Sequence, residues 1–259
     1  MLTDRVGPDG ADHGENFYGL YGSARPLADH VVDAFLFIRH DRDRELVGER
    51  AGARGSLKEY TLGNRLKGRR GPLDYGLEWA WQFGSRAHDA IRAWAWHQEV
   101  GYTEQRLPGR PRVHAEFNHG SGDSNPTDGT VENFDILFPS NHSPYGHMDF
   151  ASLRNITHVE LGVESTPVAR LTLSAAHHWL FLDTNKSAWF NSGQGVIRAA
   201  TPNASRTVGQ ELDLLANWRA SEHLSILLGY AHFHAGAFVA DSGASDDANF
   251  FYTQTALRF

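Results

Sequence analysis

The chain contains no cysteine, which excludes a disulfide framework and a thiolate metal site alike. It also lacks any apolar run of the length a membrane-crossing helix needs, so a helical membrane protein is excluded. The opening residues, MLTDRVGPDGADHGENF, show no basic stretch followed by an apolar one, hence no secretory signal in the sequence as it stands. That leaves two expectations, a cytoplasmic protein or the mature or truncated part of a longer one. Lys and Arg number 24 against 31 Asp and Glu, a formal charge of −7, and they form no basic tract, so a general nucleic-acid binder is excluded. A nucleophile elbow, a phosphate-binding loop, an HExxH pair and a dinucleotide fingerprint are all missing. No catalytic residue is assigned and no enzymatic activity is expected.

What the sequence does have is alternation. In LDYGLEWAWQFG, Leu73, Tyr75, Leu77, Trp79, Trp81 and Phe83 are large and apolar, while Asp74, Gly76, Glu78, Ala80, Gln82 and Gly84 are small or polar. Successive strand side chains point to opposite faces, so this stretch has one greasy face and one wet face. Three other stretches divide as cleanly. Tyr60, Leu62 and Leu66 oppose Thr61, Gly63, Arg65 and Lys67; Val113, Ala115 and Phe117 oppose Arg112, His114, Glu116 and Asn118. Thr157, Val159, Leu161 and Val163 oppose His158, Glu160, Gly162 and Glu164. The stretches at 30–40 and 224–235 do not split, and no face is assigned there.

Roughly eleven strands are expected, near 15–24, 30–40, 58–68, 73–84, 89–103, 111–119, 155–165, 169–182, 207–218, 224–235 and 247–259. Residues 1–259 are read as a single β domain, an ordinary size for one. Any one wet face also fits the solvent side of a soluble sandwich. Three features favour lipid on the greasy side. Connections alternate between short ones (SARPLAD, STPVA, RASEH) and mostly long ones (41–58, 120–154 and 183–206), the habit of outer-membrane barrels. Trp79, Trp81, Phe83, Trp94 and Trp96 lie toward the long-loop end and Tyr75 and Tyr102 toward the other, like two aromatic girdles. The last stretch, FFYTQTALRF, sets Phe251, Thr253, Thr255, Leu257 and Phe259 on one face.

The wording of two segments resembles a known family. The patterns "SGD.NPTDG" and "F..LFP.NH..YG.MD" followed by "NI", and the closing "Y.HF..G.FV.D.G.S.D..FFY.Q....F", look like the C-terminal part of the alginate export family of outer-membrane β-barrels. The resemblance is densest over Phe117 to Ile156 and Leu228 to Phe259. It implies an antiparallel transmembrane β-barrel in the Gram-negative outer membrane, of which this chain supplies about eleven of about eighteen strands. It also implies a passive channel for an anionic, alginate-like polysaccharide or its fragments, with outer-membrane lipid and periplasmic export proteins as partners. The alternatives are a porin for small anions or sugars and, from another class, a soluble β-sandwich that binds or cleaves polysaccharide.

Within that reading Arg65, Lys67, Arg112, Arg170 and Arg258 are the candidate lumen cations that would draw a polyanion, with a rim position or a pairing with a neighbouring Glu as the alternative for each. The long 120–154 segment, with Asp123, Asp128, Phe134, Phe138 and Tyr145, is the candidate gate. Asp123, Asn125, Asp128 and Gly129 miss the calcium-loop register, so a turn is expected there. Fifteen His include HH at 177–178 and HFH at 232–234, but no third ligand is visible in register, and neither a metal site nor a cofactor is assigned. Glu78 with His97 and Glu99, and Glu116 with His158 and Glu160, are read as charge-balanced pairs on the wet face.

Overall fold

A computed structural model describes residues 14–50, 53–140 and 145–258; Phe259, the expected last residue of the closing strand, lies outside the described residues. In chain order the strands are β1 (Glu15–Ala24), β2 (His30–Val47), β3 (Arg54–Arg70), β4 (Leu73–Arg86), β5 (Asp89–Thr103), β6 (Arg112–Gly120) and β7 (Thr130–Val131). Then come β8 (Ile156–Val168), β9 (Leu171–Phe181), β10 (Trp189–Phe190), β11 (Val196–Arg198), β12 (Thr207–Arg219) and β13 (Leu224–Ala235). A short helix, α1 (Ala237–Ser242), precedes β14 (Ala248–Leu257).

The long strands pair antiparallel in one path, β1-β2-β3-β4-β5-β6-β8-β9-β12-β13-β14. Two-residue β7 lies parallel to β5 at Ala90 and Ile91, off that path, and β10 pairs with β11 in a separate ribbon. Among the described residues β1 pairs only with β2, and β14 only with β13, so both ends of the path are edges. One expected loop is corrected. Most of 41–58 is strand, with Leu46 opposite Gly55 and Val47 opposite Arg54 beyond a register shift. The backbone ladder continues there after the apolar alternation stops, because both faces of DRDRE are polar and period-two patterning reports burial rather than pairing.

Register joins the greasy faces into continuous rows. Leu20, Leu36, Leu62, Trp81 and Trp94 stand opposite one another across five strands. Leu73, Tyr102, Val113, Val163, Ala175, Leu214, Tyr230 and Phe251 do the same from β4 to β14. These rows are uncovered: Trp81 is 59% exposed, Leu161 53% and Phe251 70%. Water-soluble monomers seldom leave so large an apolar surface bare. The wet faces are the buried ones, with Gln82 at 1% exposure, Glu211 at 0% and His178 at 3%. The sheet is therefore inside out, apolar on the open side and polar on the covered side.

Two interruptions of the path cover the inner side. Residues 121–155 leave β6 and return as β8, its direct neighbour, and residues 182–206 do the same between β9 and β12. Ile156, Leu180, Val208 and Phe233 on the inner wall pack with Ala151, Leu182, Trp189 and Phe238 from these segments and α1. The apolar core thus sits inside the curve of the sheet, at its long-loop end.

Candidate functional site

The 120–154 segment is fastened to the inner wall by side chains that alternation alone places there. Gln82 on β4 bonds the peptide of Asp135 from both sides: its Oε1 accepts from Asp135 N at 2.8 Å and its Nε2 donates to Asp135 O at 2.7 Å. The same Nε2 donates to Thr61 Oγ1 at 3.2 Å. Arg39 Nη1 reaches Asp135 Oδ2 at 3.0 Å. Gln194 donates to Asp135 Oδ1 at 3.0 Å and to Ile136 O at 2.8 Å. Phe134, beside these, is buried against Ala93 and Ala95, whose small side chains leave room for its ring. Further along, His147 N donates to Asp213 Oδ2 at 3.0 Å and Met148 N to Glu211 Oε1 at 2.9 Å. Tyr252 OH and His147 Nδ1 lie 2.9 Å apart.

The other expected gate residues lie along the same segment. Tyr145 packs edge-on to His158 at 5.8 Å, and burial pushes its phenol well above the usual tyrosine range. Phe138 is 72% exposed yet meets Phe17 edge-to-face at 5.2 Å. Asp123 turns the chain by accepting from Asn125 N at 3.1 Å, and Asp128 accepts from Thr130 N at 2.8 Å. The β2–β3 loop reaches over this turn, where Glu49 Oε2 accepts from Gly129 N and Thr130 N at 3.0 and 3.1 Å. Desolvation, reinforced by the Asp123 carboxylate beside it, raises Glu49 to about 7. Arg154, stacked 4.4 Å over the Phe190 ring, is held below the usual guanidinium value by burial.

Between wall and segment remains a cavity of ≈ 530 Å³, lined on the wall side by Phe35, Phe37, Thr61, Arg65, Lys67 and Glu78 and capped by Phe134 and Phe138. Tyr21, Phe35 and Phe37 form a stacked aromatic file on the inner face, 6.2 and 5.0 Å between successive rings. Of the five expected cations, Arg65, Lys67 and Arg112 are on this inner face. Arg65 sits 3.8 Å from Asp33, and Arg112 is clamped between Glu99 and Asp74, 2.6 Å from the latter. The other two are corrected. Arg170 occupies the turn joining β8 to β9 with φ 70°, and Arg258 follows β14, its N–H donating to His223 O at 2.9 Å. Both belong to the short-turn rim, because the parity that assigns faces ends where pairing ends.

The middle of the inner wall is acidic. Glu99, Glu116 and Glu160 are direct neighbours across β5, β6 and β8, followed by His178 on β9 and Glu211 on β12. Like charges opposite one another are unfavourable, and histidines stand beside these: His97 lies 3.7 Å from Glu116 and His114 2.8 Å from Glu160. His97 Nδ1 lies 2.7 Å from Asn118 Oδ1, and Asn118 Nδ2 donates to Glu116 Oε1 at 2.6 Å and lies 2.9 Å from His158 Nδ1. His158 Nε2 is 2.9 Å from His178 Nδ1, and His178 Nε2 is 3.2 Å from Asp213 Oδ2. Among the described residues no Lys or Arg pairs with Glu116, Glu160, Glu211 or Asp213.

The family model for alginate export matches residues 1–253. The chain belongs to the alginate export family. No curated protein sequence matches it. Two mutant forms of the ferric enterobactin receptor PfeA of Pseudomonas aeruginosa are similar in structure. One is 13% identical with a TM-score of 0.47, covering 93% of this chain and 40% of that one; the other is 11% identical with a TM-score of 0.43, covering 85% and 36%. The chain thus spans well under half the length of either receptor.

For this member of the alginate export family, sequence reasoning singles out the segment packed on the inner wall but not what holds it. Gln82 and Gln194 look like ordinary polar residues, and only the register that brings Asp135 to Gln82 reveals them. His158 and Glu160 were paired with Glu116 across a strand. That His178 joins them depends on Glu160 standing opposite His178, a register the sequence alone does not give.

Proposed function

We propose that the chain forms the wall and gate of an outer-membrane channel for an anionic, alginate-like polysaccharide or its fragments, in a Gram-negative bacterium. The observation that carries this reading is the inside-out sheet. Apolar rows face outward across the strand path, a polar wall faces inward, and a long segment fills the interior, which is what a barrel wall in lipid requires. Family membership supplies the class of cargo. Unpaired strand edges are not tolerated in hydrocarbon, so the working barrel pairs β1 and β14 with further strands, within a ring of about eighteen. Arg65 and Lys67 at the cavity, with the aromatic file beside them, offer a uronate sugar both charge and a stacking face. Lys67 has no acidic partner among the described residues, whereas Arg65 and Arg112 do; anion preference would therefore be modest and centred on Lys67. The 120–154 segment is the gate, and passage requires it to leave the wall.

The test is reconstitution of the folded protein in planar bilayers with uronate oligomers and neutral oligosaccharides of equal length. Transient current blocks specific to uronates, weakened in Lys67→Glu, are expected. Equal blocking by both sugars would favour the porin reading, and a protein that stays folded in water without detergent would refute the channel.

A further inference from the structure

On the inner wall, away from the aromatic cavity, three side chains converge from two strands. His158 and Glu160 are two apart on β8 and so share its inner face, and Glu160 is the register partner of His178 on β9. One ligand atom from each lies within 4.8 Å of the others. His158 Nε2 is 2.9 Å from His178 Nδ1, which is 3.6 Å from Glu160 Oε2. Around a tetrahedral zinc-type ion with bonds of about 2.0–2.1 Å, donor atoms stand about 3.3 Å apart, so small side-chain shifts suffice. We propose that His158, Glu160 and His178 bind a divalent first-row transition ion of the zinc class, with water in the fourth position.

Three independent observations support an ion there. The first is the surrounding shell. His178 Nε2 faces Asp213 Oδ2 at 3.2 Å without an aligned hydrogen bond, and the other oxygen of Glu160 is held by His114 Nε2 at 2.8 Å. A carboxylate behind a ligating imidazole and a donor behind a ligating carboxylate are what orient metal ligands. The second is charge. Glu116, Glu160, Glu211 and Asp213 are crowded on one wall with no Lys or Arg paired to them among the described residues, and Glu211 Oε2 and Asp213 Oδ1 are buried without hydrogen bonds; a dication supplies the missing positive charge. The third is access. Glu160, His178, His114 and Asp213 line an open recess of ≈ 300 Å³, which provides an entry path and room for the water ligand. Two imidazoles and one carboxylate suit zinc, cobalt, nickel or copper better than calcium or magnesium, which prefer all-oxygen sites. Loading carries a structural cost. The His158 proton moves to Nδ1, and the Asn118 amide, set between His97, Glu116 and His158, turns its oxygen toward it.

The experiment is titration of the detergent-folded, chelator-treated full chain with Co(II), followed by competition with Zn(II). Expected are one equivalent of Co(II), visible absorption of tetrahedral intensity, and its loss when Zn(II) is added. His178→Gln should abolish the band, and Asp213→Asn, which keeps all three ligands, should weaken binding about 10–100-fold. His232→Ala with His234→Ala, on the outer face, should leave it unchanged. Each variant is first checked for β-sheet circular dichroism and heat-modifiable migration, so that misfolding is recognised. No stoichiometric band in folded protein, or a band that survives His178→Gln, would overturn the proposal. Because the readout is spectroscopic, it stands or falls separately from transport.

Discussion

Replacing Gln82 with Met removes one fastening of the 120–154 segment while keeping the volume of the side chain. Gln82 is 1% exposed and makes three hydrogen bonds, two to the Asp135 peptide and one to Thr61. Each contributes about 1 kcal/mol net; the Thr61 bond joins two wall strands and survives opening, so the two bonds to Asp135 hold the segment by about 2 kcal/mol. The remaining anchors are untouched: Arg39 and Gln194 still hold the Asp135 carboxylate, and Phe134 stays in its alanine-lined seat. The segment should therefore open more often without coming away. At about 1.4 kcal/mol per decade, about 2 kcal/mol raises the open population about 30-fold, and amides of 130–138 should lose protection from hydrogen exchange by that factor. Strand amides away from β4, such as those of β12, should be unaffected. In bilayers, Gln82→Met should lengthen or multiply open events. If exchange at 130–138 matched that of the unmodified protein while the sheet stayed intact, the Gln82–Asp135 contact would not be what holds the segment.

Leu161→Arg, mid-strand on the outward face, should cost about 2–4 kcal/mol if that face meets hydrocarbon but stay within about 0.5 kcal/mol if it meets water; urea unfolding from lipid vesicles separates the two. Glu49 gives a pH dependence. Its folded-state value of about 7 lies above the ordinary carboxylate value of 4.5, so the folded protein binds more protons in that interval. Its stability contribution is present below the lower value and lost as pH rises through the upper one. Thermal midpoints should fall as pH rises from 4.5 toward 7, and Glu49→Gln should flatten that part of the profile; an equally steep profile in the variant would locate the titration elsewhere.

The alternation in LDYGLEWAWQFG made both faces of β4 legible before any fold was known, and the exposure of Trp81 beside the burial of Gln82 agrees with it. The same rule works wherever a strand has one apolar side. It fails where both sides have one character: DRDRE in β2 reads as a loop and is strand, and β2 itself does not split because Phe35 and Phe37 are apolar on the inward side too. Single-residue function was harder to read. The inward placement of Arg65, Lys67 and Arg112 follows from parity, but the partner of Arg65, Asp33, and those of Arg112, Asp74 and Glu99, come from the fold. Arg170 and Arg258 lie past the last paired residues, where parity has no meaning. The acidic row of Glu99, Glu116 and Glu160 was visible only as three separate strands with one glutamate each.

The interior segments begin and end on neighbouring strands, since β6 pairs with β8 and β9 with β12. The sheet can therefore grow by adding one hairpin at a time, each new strand docking on the last, without waiting for the filling to arrive. What covers its inner side is carried on connections between strands that are already neighbours. A chain cut within 121–155 could still zip its wall together from two pieces, with Leu182, Trp189 and Phe238 still packed on the inner side.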